Sequence, residues 1–259
     1  MDRQKRNTWI LVGVVVILGL AAVAEQVRER RTAPKPLLGA SLRDVNTIAL
    51  DCPGCPPRRF ERVQGAWQMT QPYDAPADPA AIARILQLPR APVAMRYPVE
   101  HFELAKIGLD KPLLVAQLGP YRFEFGGLDA LNNLRYVRIG STVALLADQY
   151  SGTLMATPEV LLDKRPFARL RDIAGVAQDG VEWGAERIAA LPAMVAQGVV
   201  EHPPGASAAA FEVRYARDHV TRYSLERDGS RWLLRHAGEP LAFVLGDAEA
   251  AALGAPRRH

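Results

Sequence analysis

Cysteine is nearly missing from this chain of 259 residues: there are two, both inside Asp51-Cys52-Pro53-Gly54-Cys55-Pro56-Pro57. With no second Cys-x-x-Cys and no paired-histidine motif, the four ligands of a zinc site are not there to be found. Three chemistry-bearing signatures are also missing: the Gly-x-Ser-x-Gly nucleophile elbow, the His-Glu-x-x-His metalloprotease helix and the Gly-x-x-x-x-Gly-Lys phosphate loop. No cofactor motif stands in their place. Aromatic residues are sparse, at 7%. No aromatic and basic residues interleave as a nucleic-acid stacking groove requires. The formal charge of +4 invites a nucleic-acid reading. However, the first 24 residues hold three of the basic residues and one acid, leaving 29 basic and 27 acidic residues in the remainder. That remainder has a mixed, solvated surface with no long block of one sign, which excludes a nucleic-acid partner.

Long hydrophobic runs are equally scarce, and the single example decides where the chain works. Thr8 to Ala24 follows the basic head Met1-Asp2-Arg3-Gln4-Lys5-Arg6-Asn7. Its length is at the lower edge of what spans a bilayer, and its even apolarity favours an uncleaved anchor. Ala22-Val23-Ala24 has the small-x-small spacing of a cleavage site, so a cleaved signal is the alternative. Arg28, Arg30, Arg31 and Lys35 follow the run closely, so the basic count does not orient it. The short basic head behaves as a signal anchor, which predicts a single pass through the cytoplasmic membrane with the body in the periplasm or otherwise outside.

The body divides by pattern. Residues 25–41, basic and proline-bearing, read as a tether. Thr47 to Leu50 and Arg59 to Val63 read as strands, with a turn at Gln64-Gly65 before a strand through Trp67. Asp78 followed by Pro79 is an N-cap signature, and Ile82, Ile85 and Leu86 share one helical face. Four short strands follow: Leu113 to Leu118, Arg122 to Phe125, Arg135 to Ile139 and Val143 to Ala147. Four more are expected at Phe211 to Tyr215, Thr221 to Glu226, Arg231 to Leu234 and Leu241 to Leu245. Gly126-Gly127 reads as a hairpin turn.

Short echoes connect the halves in order. Leu42-Arg43-Asp44-Val45 returns as Leu170-Arg171-Asp172-Ile173, Val99-Glu100-His101 as Val200-Glu201-His202, and Leu145-Leu146-Ala147-Asp148 as Val244-Leu245-Gly246-Asp247. Their spacing drops once and then holds, as if the second copy lacked one hairpin after its first strand. The sequence thus predicts an α+β fold: a transmembrane helix, then two related antiparallel meander-plus-helix units, at 42–165 and, shorter, at 166–259.

Laid out this way, the chain resembles a bacterial domain-of-unknown-function family whose members join an N-terminal membrane helix to such α+β units. The resemblance is carried by Gly65-Ala66-Trp67 with Gln71-Pro72, Ala77-Asp78, Ile107-Gly108-Leu109-Asp110-Lys111-Pro112, Tyr136-Val137-Arg138, and Asp163-Lys164 with Phe167. From it, Trp67, Asp78, Gly108, Leu109, Pro112, Tyr136 and Arg138 are expected to be structural. Members are frequently encoded beside gliding-motility-type ABC transporter components, which implies an envelope accessory role with transporter subunits as partners. It supplies no catalytic residues.

Two residue groups compete with that role. In Cys52-Pro53-Gly54-Cys55, proline second and glycine third are the type II turn preference, which brings the first and last Cα within reach of a disulfide. A redox-active pair needs a helix N-terminus or basic neighbours to stabilise a thiolate, and strands with prolines flank this motif. A structural, oxidised clip is therefore expected, and a thiol-redox or other envelope enzyme using Cys52 and Cys55 is the alternative function. Glu100-His101 and Glu201-His202 resemble acid/base pairs, but duplication alone explains their recurrence. Trp67 and Trp232 each follow a Glu-Arg strand end, which suits sheet packing better than a ligand box. The sequence therefore points to a non-enzymatic accessory protein at the membrane, without metal or cofactor.

Overall fold

In the computed structural model, residues 35–39, 45–167, 173–202, 207–215 and 220–255 are described. They form two wide antiparallel sheets. The first holds β1 (Thr47–Asp51), β2 (Arg58–Val63), β3 (Ala66–Gln71), β4 (Ala75–Pro76), β5 (Val93–Pro98), β6 (Leu114–Leu118), β7 (Tyr121–Leu128), β8 (Leu134–Ile139) and β9 (Thr142–Ala147), in the order β4-β3-β2-β1-β6-β7-β8-β9-β5. The second holds β10 (Ile173–Gln178), β11 (Val181–Glu182), β12 (Gly198–Glu201), β13 (Ser207–Tyr215), β14 (Val220–Asp228), β15 (Arg231–His236) and β16 (Leu241–Leu245), in the order β11-β10-β13-β14-β15-β16-β12. In both sheets one strand, β5 or β12, crosses to the far edge before a four-stranded meander fills the space between.

The expected meander-plus-helix units are overturned by this architecture. Among the described residues helices are minor: α1 (Pro79–Gln87) has nine residues, and α2 (Ser151–Leu154), α3 (Ala185–Ala190) and α4 (Asp247–Ala252) have four, six and six. The sequence pattern missed β5 because Pro92 and Pro98 bracket it. At a sheet edge, proline sacrifices no inner ladder bond, so the strand forms there. Among the described residues no helix is long and apolar enough to cross a membrane, and the expected span from Thr8 to Ala24 lies outside them.

Local signals held where period and cap agree. Asp78 caps α1 by accepting from Ala80 N at 2.9 Å, Pro79 takes the first turn, and Ile82 and Ile85 are buried. The helix then tightens into a 3-10 turn at Leu88–Arg90. The far end of the predicted tether is packed rather than free. Leu37 N donates to Ala91 O at 2.8 Å, Leu38 N donates to Pro89 O at 2.7 Å, and the Leu37 side chain is buried in the first core. An apolar residue beside an unfilled core slot gains more by docking than by staying in solvent.

Each sheet has its own core, and the two cores meet. The first gathers Ile48, Leu50, Phe60, Met69, Phe123 and Phe125 with the α1 face. The second gathers Phe167, Trp183, Phe211, Tyr223, Leu225 and Trp232. Val199 and Leu241 from the second sheet are buried in the first core, and Phe243 packs against both.

Candidate functional site

The strap 161–166 joins the sheets and shapes the junction. On one side Asp78 N donates to Leu161 O at 2.8 Å and Asp163 N to Pro76 O at 2.9 Å, so the strap closes the edge at β4. On the other, Ala196 N donates to Lys164 O at 2.8 Å, which holds the approach to β12. Between strap, β4 and one face of the second sheet lies a cavity of about 290 Å³. Its apolar surface comes from Ala75, Leu162, Val199, Leu241 and Phe243, and its polar groups from Asp74, Asp163, Arg165, Tyr215, Thr221, Tyr223, His236 and Glu239.

Strand alternation aims these side chains. Thr221 and Tyr223 on β14, His236 on β15, and Leu241 and Phe243 on β16 point to the same face as the second core. Tyr223 stacks on Phe211 with ring centroids 5.4 Å apart and planes 11° from parallel, and it also touches Phe167 at 5.3 Å and His236 at 5.5 Å. On the rim, Asp163 and Arg165 pair with each other, while Asp74 accepts a hydrogen bond from Gln68. Asp163 accepts from Arg165 Nη2 at 2.6 Å and from Arg165 Nε at 3.0 Å, and this contact raises the Arg165 pKa above its ordinary value. His236 Nδ1 lies 2.9 Å from Glu239 Oε1 without a formed hydrogen bond. Burial pushes the Tyr215 hydroxyl pKa up, and hydrogen bonds with Tyr223 and Thr221 pull it partly back. The result is an aromatic floor under a polar rim on which Asp163 and Arg165 neutralise each other, a combination suited to holding an apolar group.

Beside the cavity, Tyr73 ties the sheets together. Its hydroxyl donates to Glu159 Oε1 at 2.6 Å and lies 3.3 Å from Glu201 Oε2 on β12. Burial, and then the bond to Glu159, push the Tyr73 pKa well above its ordinary value. Burial raises the pKa of Glu159, but the Tyr73 hydroxyl and further hydrogen bonds outweigh it and leave the carboxyl below its usual value.

The residues singled out from sequence are dispersed. Gly108 (φ +68°) ends the 3-10 turn Leu104–Ile107 and puts Leu109, 1% exposed, against Gly126. Tyr136 and Arg138 share that face of the first sheet: Arg138 pairs with the buried Glu124, and Tyr136 meets Phe102 at 5.7 Å. Pro112 is half-buried in the run to β6, Trp67 packs partly against the first core from β3, and Asp78 caps α1. None of these lines the cavity. Gly126-Gly127 is not a hairpin turn but lies inside β7. A Cβ on Gly126 would stand 2.3 Å from the Ile107 carbonyl oxygen, so the glycine is there to let the Gly108-Leu109 segment approach. The two Glu-His pairs do not converge. His101 lies near Tyr97 with centroids 6.4 Å apart, whereas Glu201 bonds Tyr73 and His202 Nε2 is 3.8 Å from Glu226.

The cysteines form a disulfide with Cα atoms 5.3 Å apart. The turn has the expected form: Cys55 N donates to Cys52 O at 3.1 Å, and Gly54 has φ +76°. Among the described residues no group of three or more His, Cys, Asp or Glu is placed to hold a metal ion.

Sequence reasoning missed the cavity residues because they come from β4, the strap and five strands of the other sheet, with no spacing to connect them. Only Asp163, through the Asp163-Lys164 element, carried any signal.

Comparison with curated proteins and with solved structures returns no match. Residues 67–190, from Trp67 in β3 to Ala190 at the end of α3, match the family described as a domain of unknown function, DUF4340. Over that segment, just under half of the chain, the sequence is similar to this bacterial domain-of-unknown-function family.

Proposed function

We propose that this chain is a non-enzymatic envelope accessory protein, held at the cytoplasmic membrane through Thr8 to Ala24, that captures a segment of a membrane transporter subunit in the cleft between its two sheets. One observation carries the binding role: the cleft has an aromatic and aliphatic floor, while Asp163 and Arg165 on its rim are spent on each other. Paired charges at a rim exclude water and set orientation, and an apolar floor receives an anchor side chain. The volume of about 290 Å³ falls at the bottom of the roughly 300–1,000 Å³ range of small-molecule sites, so a single bulky side chain of a protein partner fits better than a large substrate.

The basic head and lone apolar run support the membrane placement, and the family resemblance supports an ABC-type transport system as the partner. Crosslinking of the full-length chain in intact membranes, followed by identification of the adducts, tests the proposal. Adducts concentrated on transporter permease or ATPase subunits are expected. Adducts confined to water-soluble proteins, or turnover of a small molecule by the purified chain, would overturn it.

A further inference from the structure

The thiolate-stabilising neighbour that the sequence around Cys52 and Cys55 did not reveal is present in the fold. Arg58 opens β2 with its side chain turned inward, in register with Phe60, and is 1% exposed. Its Nη2 donates to Cys52 Sγ at 2.9 Å and its Nη1 to Ala156 O at 2.8 Å, while Nε has no partner. Neither acceptor carries a charge. The carboxylate whose field reaches Arg58 is Asp51, already paired with Arg59 at 2.7 Å, and burial pulls the Arg58 pKa below its ordinary value. A buried cation without a counter-charge is expensive in a protein interior. The one group at its fingertips that can become an anion is Cys52.

We infer that Cys52–Cys55 is a reducible pair in which Arg58 receives Cys52 as a thiolate, so that exchange with an external dithiol runs through Cys55. The thiolate of the dithiol attacks Cys55 Sγ. A new sulfur–sulfur bond forms there, the Cys52–Cys55 bond breaks, and its electron pair remains on Cys52 beside the Arg58 guanidinium. The second thiol of the donor, as its thiolate, then attacks the donor's own sulfur in the mixed disulfide and releases Cys55, which takes up a proton. Two electrons pass from donor to protein, the donor leaves as a disulfide, and Cys52 remains ionised. The leaving sulfur with the lower pKa departs faster, which gives the exchange its direction. Of the charged groups on the flanking strands, Arg58 contacts the pair directly, and Asp51 and Arg59, paired with each other, act on Arg58 from beside it. From the segment leading to the strap, the Ala156 carbonyl bonds the same guanidinium. Cys52 and Cys55 are both partly exposed residues, and the contact at Cys55 Sγ is on the exposed side of the turn, within reach of a partner thiol.

The test uses the full-length chain reduced with dithiothreitol. Iodoacetamide labelling is followed across pH, with mass mapping of each cysteine, because the inflection of each rate profile reports that thiol's ionisation whatever its exposure. Cys52 is expected to inflect about one pH unit or more below Cys55, which should stay near the ordinary thiol value of about 8.5. Thiolate absorbance of Cys55→Ser and Cys52→Ser provides the same comparison with one sulfur at a time, with Arg58 in place in both. Matching inflections, or Cys55 ionising first, would overturn the inference and leave the pair a plain clip. The outcome is independent of whether the inter-sheet cleft binds a partner.

Discussion

Replacing Tyr73 with phenylalanine removes one hydroxyl from the joint between the sheets and leaves the ring in place. The hydroxyl has a single proton, and the 2.6 Å contact to Glu159 takes it, while the 3.3 Å contact to Glu201 is a weaker second. A hydrogen bond to a charged acceptor contributes roughly 1.5–3 kcal/mol net. Tyr73 and Glu159 are half-buried and Glu201 is exposed, so screening puts the expected loss near the bottom of that range, about 1.5 kcal/mol. For a chain of this size that corresponds to a fall in Tm of roughly 3–6 °C.

The pH dependence has a definite sign. Glu159 titrates below its ordinary 4.5 in the fold, because hydrogen bonding, with Tyr73 first, outweighs the upward push of burial. A depressed carboxyl contributes stability that is fully present above its unfolded value and lost as pH falls through the folded one. The gap between wild type and Tyr73→Phe is therefore widest at pH 7 and narrows below about pH 4.5, where a neutral hydrogen bond is all that remains to lose. Urea unfolding at pH 7 and at pH 3.5 measures both. A variant within about 0.3 kcal/mol of wild type at pH 7, or a gap that does not change with pH, would refute the reasoning.

Other perturbations follow from the same contacts. Glu226, 2% exposed, accepts from Arg235 Nη2 at 2.7 Å and from Ser224 Oγ at 3.0 Å, so Glu226→Ala strands a half-buried guanidinium and should lower stability by about 3 kcal/mol, the low end for a broken buried pair, in urea titration. Gly126→Ala drives a methyl group into the Ile107 carbonyl and the Leu109 side chain and should lose about 1–3 kcal/mol, whereas Gly152→Ala, which meets open space, should change stability by less than about 0.5 kcal/mol. Burial raises the Glu124 and Asp148 carboxyls, but bonds from Arg138 and Arg122 to the first and from Arg135 to the second outweigh it and hold both below their ordinary 4.5 and 3.8. Their contribution is present above those values and lost as pH falls below them, so the wild-type Tm should drop steeply under about pH 4, and less steeply in Glu124→Gln.

Short-range chemistry was readable from the sequence and long-range chemistry was not. The Asp78-Pro79 start of α1, the Pro53-Gly54 turn and the short apolar strand from Leu241 to Leu245 are fixed by neighbours a few residues apart, and they appear where the pattern put them. β5 was hidden by its bracketing prolines, and β12, only four residues long, offers too little period to see. Those two strands cross their sheets, so missing them concealed the width of both sheets and made the helices look more prominent than they are. Gly126 was misread because a glycine pair signals a turn locally, while its reason is the Ile107 carbonyl pressing from another segment. Arg58 is the sharpest case. It stands three residues beyond Cys55, before the predicted strand from Arg59, and only the inward face of β2 makes it a buried cation against Cys52.

The central claim, that the cleft between the sheets is where a membrane partner docks, is tested most directly by placing a photocrosslinking amino acid at one of two exposed positions in the full-length chain. Asp74 lies at the cleft mouth, and Leu131 stands 91% exposed in the loop between β7 and β8. Irradiation of intact membranes should yield a discrete adduct with a transporter subunit from position 74 and none from position 131. Equal labelling from both positions, or an adduct from Leu131 alone, would contradict the account.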